Sequence, residues 1–397
     1  MDERLELEYK IVSGDSHMDM SWLPGDLFTS EAPAHLKELM PQVVDRDGGQ
    51  YWVSEGQDLG PFGSMGFGFD APKRGLRRRI DRMFDAGYYE GGGHPSTPEL
   101  RMKDMEMDGV DAEVIYGMTT AGMRIKNVEI LTHTYRAYNR WIADFCKTKP
   151  GRWYALACIP VHDPEVAADE LRRASDMGLR GADMFVTPET RPIYMRDGYW
   201  DPLWRAAAEC KMPVSFHIGG GGIQVPEPPT GMNNSFFATD DDQNALGFQG
   251  TRAPIEQLSG SEWLVAIIMS GACDRHPDFQ FVLGECGAGW VPFVTERMDV
   301  EYHDNLLDQK FNPPLQMKPS DYWFQHGATT FQEDPTVGYM AEFIGVDNLM
   351  WGSDYPHPDG VWPDSQKVIK ETMGQLKPEV LQKLLRDNAV KRYRMGS

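Results

Sequence analysis

The chain has 397 residues, a formal charge of −21 and an isoelectric point near 4.9. An acidic surface of that size opposes a nucleic-acid partner, whose phosphates need a basic face. No apolar run reaches the roughly 18 residues that a membrane span needs, and the start MDERLELEYK is too charged for a secretory leader, so a cytoplasmic enzyme with no membrane partner is expected.

Short apolar or β-branched runs alternate with helical patterns along the chain. Tyr9–Ser13 reads as a first strand and Asp111–Tyr116 as a second, followed by a helix near Asn127–Cys146. Trp153–Val161 leads into DPEVAADELRRASDMG, where Asp163 is placed as an N-cap and Gly178 as the C-terminal stop. Leu179–Phe185 precedes a helix that begins near Asp201. Met212–Ile218, Phe279–Glu285, Trp323–Thr329 and Asn348–Ser353 complete eight strands. Strands separated by helices pair in parallel through crossovers, and eight such units predict a closed (β/α)8 TIM barrel, one domain over 1–397. An open doubly wound sheet is the alternative, but no GxGxxG follows the first strand.

Two segments break the rhythm. Residues 41–100 carry GGQYW, GFGFD and GGGH after strand one, and residues 219–260 open with GGGGIQVPEPPTGMNN after strand five. Both leave the C-terminal ends of strands, where barrel active sites lie, so both are expected to wall or cover the site. The alternative is an arm for self-association, and a homodimer or higher homo-oligomer is expected. The basic run Lys73–Arg79 is assigned to local salt bridges. Cys146, Cys158, Cys210, Cys273 and Cys286 form no CxxC pair and read as reduced core thiols.

The chemistry-bearing residues cluster at strand ends. In Asp15-Ser16-His17 the outer two are two apart, so on a strand both side chains face the same way. His217 ends Pro213-Val214-Ser215-Phe216, and Asp354 ends Leu349-Met350-Trp351-Gly352-Ser353. Three strands thus bring imidazole and carboxylate ligands to one rim, a set that suits zinc, manganese or iron. His357 follows a proposed ligand by three residues and is expected to face the pocket. His326 is placed in strand seven, undecided between pocket and core, and His94 is a candidate from the cover. Trp22, Tyr116, Trp290 and Trp362 are candidate pocket walls.

Taken together, GDSHMD, ELRMKDMEMDGVDAEVIYG, FHIGGGG, RHPDFQFVLGECGAGWVPF, WGSDYPHPDG and LLRDNAVKRY resemble the amidohydrolase superfamily. The likeness is to its amidohydrolase-related branch, which contains aminocarboxymuconate-semialdehyde decarboxylase and aromatic-acid decarboxylases. It implies metal binding by Asp15, His17, His217 and Asp354, with Asp15 standing where many relatives have histidine. Many decarboxylases of that branch carry a catalytic histidine after strand six, whereas here Glu285 stands at or near that place. Glu285 can act as a general base for water at the metal or as a ligand that admits a second ion. The expected activity is metal-dependent hydrolysis of a small organic substrate, an amide, a lactone or a carboxylic-acid-like compound, with Asp354, Glu285 and His357 as catalytic groups. Non-oxidative decarboxylation is an alternative, opposed by the missing strand-six acid. Iron-dependent oxygen chemistry is a third reading, and a binding module without catalysis a fourth.

Overall fold

The computed structural model describes residues 10–30, 32–46, 49–63, 81, 85, 95–220, 243–304, 307–357 and 359–396. Eight strands form one parallel sheet: β1 Val12–His17, β5 Ala112–Tyr116, β6 Trp153–Cys158, β7 Gly181–Asp183, β8 Val214–His217, β9 Phe281–Gly284, β10 Thr329–Phe331 and β11 Leu349–Trp351, in that spatial order. Its two outer strands meet at a seam. Ser16 bridges to Tyr355, the His17 amide donates to the Tyr355 carbonyl at 2.7 Å, and the Asp354 amide donates to the Asp15 carbonyl at 2.9 Å. The sheet is therefore a (β/α)8 barrel. Gly352 permits the seam, because a Cβ there would lie 2.5 Å from that of Asp15.

Alternation along the strands separates two apolar layers, as a two-residue period requires. Val12, Val114, Tyr116, Leu156, Val282 and Met350 fill the barrel interior, joined by Tyr393 and Met395 from the C-terminal tail. Ile115, Ala155, Phe216, Leu283 and Trp351 face outward and pack under the helices. The Asp163 carboxylate caps Pro164–Met177 by accepting from the Glu165 and Val166 amides, and Gly178 ends that helix in the left-handed region at φ 95°. Helices over Val128–Thr148 and Asp201–Cys210 stand where the sequence pattern put them.

Two expectations are corrected. Strand one runs over Val12–His17 rather than Tyr9–Ser13, because Gly14, Asp15 and Ser16, which look like turn residues, continue the strand through a bulge against β5. Strand seven is Thr329–Phe331, not Trp323–Thr329. Tyr322, Trp323 and His326 are the buried face of the helix Pro319–His326, which Pro319 opens at its first turn. His326 is thus a core residue, its Nδ1 2.7 Å from the Phe279 carbonyl.

A second sheet, antiparallel, is formed by β2 Gln42–Arg46, β3 Gly49–Ser54 and β4 Gln57–Pro61. It sits at the end of the barrel where β1 and β5 finish: Leu59 and Gly60 approach Asp19, Met118 and Thr120, and the Gly63 amide donates to the Ser21 carbonyl at 2.8 Å. The basic run Lys73–Arg79 and residues 221–242 lie outside the described residues. The cysteines are free, with Cys158, Cys273 and Cys286 buried. No helix among the described residues is long and apolar enough to cross a membrane.

Candidate metal centre

Four strand ends place the candidate ligands. Asp15 and His17 lie on β1, His217 closes β8, Glu285 follows β9 and Asp354 lies three residues past β11. His17 Nε2 lies 3.5 Å from Asp15 Oδ1 and 3.0 Å from Asp354 Oδ1. His217 Nε2 lies 3.6 Å from Asp15 Oδ1 and 3.5 Å from Glu285 Oε2. All five residues are brought together, as the sequence pattern requires.

Glu285 and Asp354 both adopt φ 55°, a left-handed conformation that costs a residue with a side chain of order 1 kcal/mol or more. The local structure holds them there. The Glu285 amide donates to Thr330 Oγ1 at 2.6 Å, and Thr330 Oγ1 in turn donates to Asp15 Oδ2 at 2.5 Å. One hydroxyl on β10 therefore ties together two of the five carboxylate and imidazole residues. Gly284 leaves the room they need, since a Cβ there would come within 2.8 Å of the His217 ring.

The donor atoms themselves are left open. Asp15 Oδ1, His17 Nε2, His217 Nε2 and both Asp354 carboxylate oxygens are buried and make no hydrogen bond within the described residues. Burial without a partner costs each polar group on the order of 1–3 kcal/mol, and more for an ion. A divalent cation removes that cost, because it accepts the lone pairs that converge there. His217 is set for it: Nδ1 faces the Ile218 carbonyl at 3.4 Å, an acceptor only, which keeps a proton on Nδ1 and turns Nε2 inward, where a metal ion would displace the proton it carries. Imidazole with carboxylate oxygen, and no thiolate, fits zinc, manganese or iron.

The charges at this pole of the barrel, where the five side chains converge, act strongly on one another. Burial opposes ionisation of Asp15, yet the neighbouring His17 and His217 hold its carboxyl well below the usual range. Burial pushes Glu285 up, helped by the negative charge of Asp354, while Asp354 is held down, against burial, by His357 and His17. His357 is placed differently from the others. Its Nδ1 lies 3.0 Å from Asp354 Oδ1 and its Nε2 2.9 Å from Asp19 Oδ2, and its ring stacks 4.0 Å from that of His17. Against the burial penalty, those two carboxylates hold it as an imidazolium, so it carries a proton at the rim instead of offering a lone pair.

Above the pole opens a cavity of about 310 Å³. His17, His217, Glu285 and His357 form one end. Met123, Phe185 and Ile218 supply apolar wall, and Asp19 and Asp183 line it as well. The segment after β8 brings Arg252, Glu256 and Gln257 to the wall, Arg252 and Glu256 on the helix Gln243–Glu256. The aromatic candidates do not line this cavity. Trp362 is buried on the Asp104 carbonyl, Trp290 donates to the Cys286 carbonyl, and Tyr116 packs beneath, its ring 4.9 Å from His217. Trp22 is buried at the entry to the small sheet, and His94 lies outside the described residues.

Sequence reasoning missed Asp19, Asp183 and Thr330. Asp19 carried a signal, as the next step in the alternation Asp15, His17, Asp19. Asp183 and Thr330 are single residues in short strands and carry none.

The family model for amidohydrolases matches residues 82–395. The chain belongs to the amidohydrolase family. His217, Glu285 and Asp354 fall inside the match, whereas Asp15 and His17 precede it. Gamma-resorcylate decarboxylase of Rhodococcus jostii is 23% identical over 279 residues, 65% of this chain and 77% of that enzyme. Among solved structures, an amidohydrolase from Mycobacterium avium subsp. paratuberculosis superposes with a TM-score of 0.69 at 18% identity, covering 98% of this chain and 100% of the other. A dihydroxybenzoic acid decarboxylase from Polaromonas, solved with manganese and the inhibitor 2-nitroresorcinol, gives 0.61 at 17% identity, covering 98% of each chain. The barrel expected from the strand pattern is shared by both.

Proposed function

We propose that the chain is a manganese-dependent, non-oxidative decarboxylase of an aromatic acid, with Asp15, His17, His217 and Asp354 as metal ligands. The observation that carries this reading is the likeness to gamma-resorcylate decarboxylase across 65% of the chain, over a barrel in which His17 and His217, their Nε2 atoms open, line one cavity. The chemistry agrees. A carboxylate with a neighbouring hydroxyl offers two oxygen donors in a row, which suits a carboxylate-rich site for manganese. The bound ion would supply positive charge to hold that end of the substrate and draw electron density from the ring. Met123, Phe185 and Ile218 offer a dry wall to the ring, and exclusion of water strengthens every charge interaction at the pole. Of the two insertions, the helix Gln243–Glu256 borders the cavity, whereas the small sheet sits at the same end of the barrel without a described residue in the cavity wall.

Hydrolysis, which the sequence alone put first, has one observation in its favour. Glu285 stands 3.5 Å from His217 in a strained conformation and can take a proton from water. The test is product analysis with manganese-loaded protein and a panel of ortho-hydroxybenzoates, lactones and amides. Carbon dioxide and the corresponding phenol, lost on treatment with a chelator, are expected. Cleavage of a lactone or amide with no carbon dioxide from any acid overturns the decarboxylase reading, and substrate-dependent oxygen uptake points to the iron alternative.

A further inference from the structure

Two sets of donor atoms meet at this pole. Asp15, His17 and His217 each offer one atom within 4.8 Å of the other two, and His17, Glu285, Asp354 and His357 form a second set within the same limit. His17 Nε2 faces both, 3.5 Å from Asp15 Oδ1 and 3.0 Å from Asp354 Oδ1, but its single lone pair serves one ion. Asp354 is different. It is fully buried, and neither carboxylate oxygen accepts a hydrogen bond from the described residues, so each can take an ion. His357 is already arranged as a ligand. A metal-binding histidine gives its other ring N–H to a carboxylate, which fixes the ring. Here Nε2 lies 2.9 Å from Asp19 Oδ2, and Nδ1 lies 3.0 Å from Asp354 Oδ1. Glu285 Oε1 accepts from Gln332 Nε2 at 3.3 Å, while Oε2 lies 3.5 Å from His217 Nε2.

We propose that the pole binds two divalent cations, one on Asp15, His17 and His217 and a second on Glu285 and His357, with Asp354 giving one carboxylate oxygen to each. This goes beyond the decarboxylase reading, which needs only the first ion. Six protein groups on a single ion would fill an octahedral shell and leave no open position, which a catalytic metal keeps. Shared between two ions, the same groups leave both with room for substrate or water. The charge gives the same count. Asp15, Asp19, Glu285 and Asp354 are four carboxylates set against imidazoles, and an imidazole that ligates is neutral. One divalent ion leaves half of that charge unbalanced, and two balance it. Without ions, protons help to balance it. One is on Glu285, which burial pushes up, and one on His357, where against burial Asp354 and Asp19 hold the imidazolium. The second ion displaces both protons to solvent as it binds.

Manganese(II) alone is the probe. The metal-free chain, titrated with it and then freed of excess, is expected to hold two ions per chain by elemental analysis. Two ions bridged by one carboxylate are magnetically coupled. The low-temperature electron paramagnetic resonance spectrum should therefore lose the hyperfine pattern of an isolated manganese ion and show that of a coupled pair. His357→Ala removes a ligand of the second ion only, and should hold one ion with the isolated pattern restored. Asp19→Asn keeps the shape behind His357 but not the charge, and should weaken the second ion about 10–100-fold while leaving the first unchanged. One ion per wild-type chain at saturating manganese overturns the second site, as do two coupled ions held at full affinity in both variants. Carbon dioxide release by a wild type that holds one ion overturns the second site and leaves the decarboxylase reading standing. Two coupled ions with no carbon dioxide from any acid do the reverse.

Discussion

Two clusters of buried charge lie on either side of β1, and they differ in how their charge is balanced. Behind the strand, Arg101 donates from Nε to Glu113 Oε2 at 2.7 Å and from Nη1 to the His17 carbonyl at 3.0 Å, and Ser16 donates to the other Glu113 oxygen. That cluster contains its own cation. In front of the strand, Asp15 and Asp354 face His17 and His217 with donor atoms left open, and Glu285 stands beside His217. Buried charge that brings its counter-charge holds the fold, whereas buried charge with converging lone pairs awaits an ion. The two clusters also touch, since Arg101 grips the backbone of His17 itself.

The comparison predicts opposite responses to substitution. His217→Ala should abolish metal binding and turnover while circular dichroism shows an intact barrel, and full manganese occupancy by elemental analysis in that variant would break the assignment. Arg101→Met should do the reverse. It strands Glu113 in the core, and breaking a buried pair from one side costs about 3–5 kcal/mol, read as a lowered denaturation midpoint with the metal retained under native conditions. Adding Glu113→Gln should restore much of that stability. If Arg101→Met leaves the midpoint unchanged, the cluster behind β1 is not structural.

Smaller effects sharpen the contrast. Thr330→Val keeps every proposed ligand but removes the hydroxyl that ties Asp15 to the Glu285 amide, so manganese affinity should fall about 10–100-fold, measured by titration calorimetry. An unchanged affinity would mean that Thr330 only fills space. Burial draws His217 down in the metal-free protein, but the Asp15 carboxylate 3.6 Å from Nε2, with the charges of Glu285 and Asp183, holds it up at about 10. A metal takes the Nε2 lone pair, so binding must release that proton. Below about pH 10, affinity should therefore fall about tenfold for each unit the pH drops, per proton released. Calorimetry in two buffers of different ionisation enthalpy counts those protons, and a count of zero contradicts the protonated state.

Much of this was legible before the fold was known, for a physical reason. A parallel barrel collects the C-terminal ends of its strands on one rim, so Asp15, His17, His217 and Asp354 could be grouped from strand position alone. The helix Pro319–His326 looks like a strand in sequence because its buried Tyr322 and Trp323 are adjacent, and the true strand that follows has three residues. Strand one looks shorter in sequence because Gly14 and Asp15 resemble a turn, whereas Gly14 lets β1 lie against Met350 and Trp351. Asp183 and Thr330 were invisible for another reason. Their roles depend on which neighbours the barrel closure supplies, and a single acid or hydroxyl in a three-residue strand has no pattern around it.

The central claim is that the open donor atoms in front of β1 bind a metal. Anomalous scattering from crystals of the manganese-loaded protein tests it most directly. The account predicts a peak enclosed by Asp15, His17, His217 and Asp354, within bonding distance of Nε2 of both histidines. Manganese bound elsewhere, with those five donor atoms still open in crystals grown in excess manganese, would contradict it.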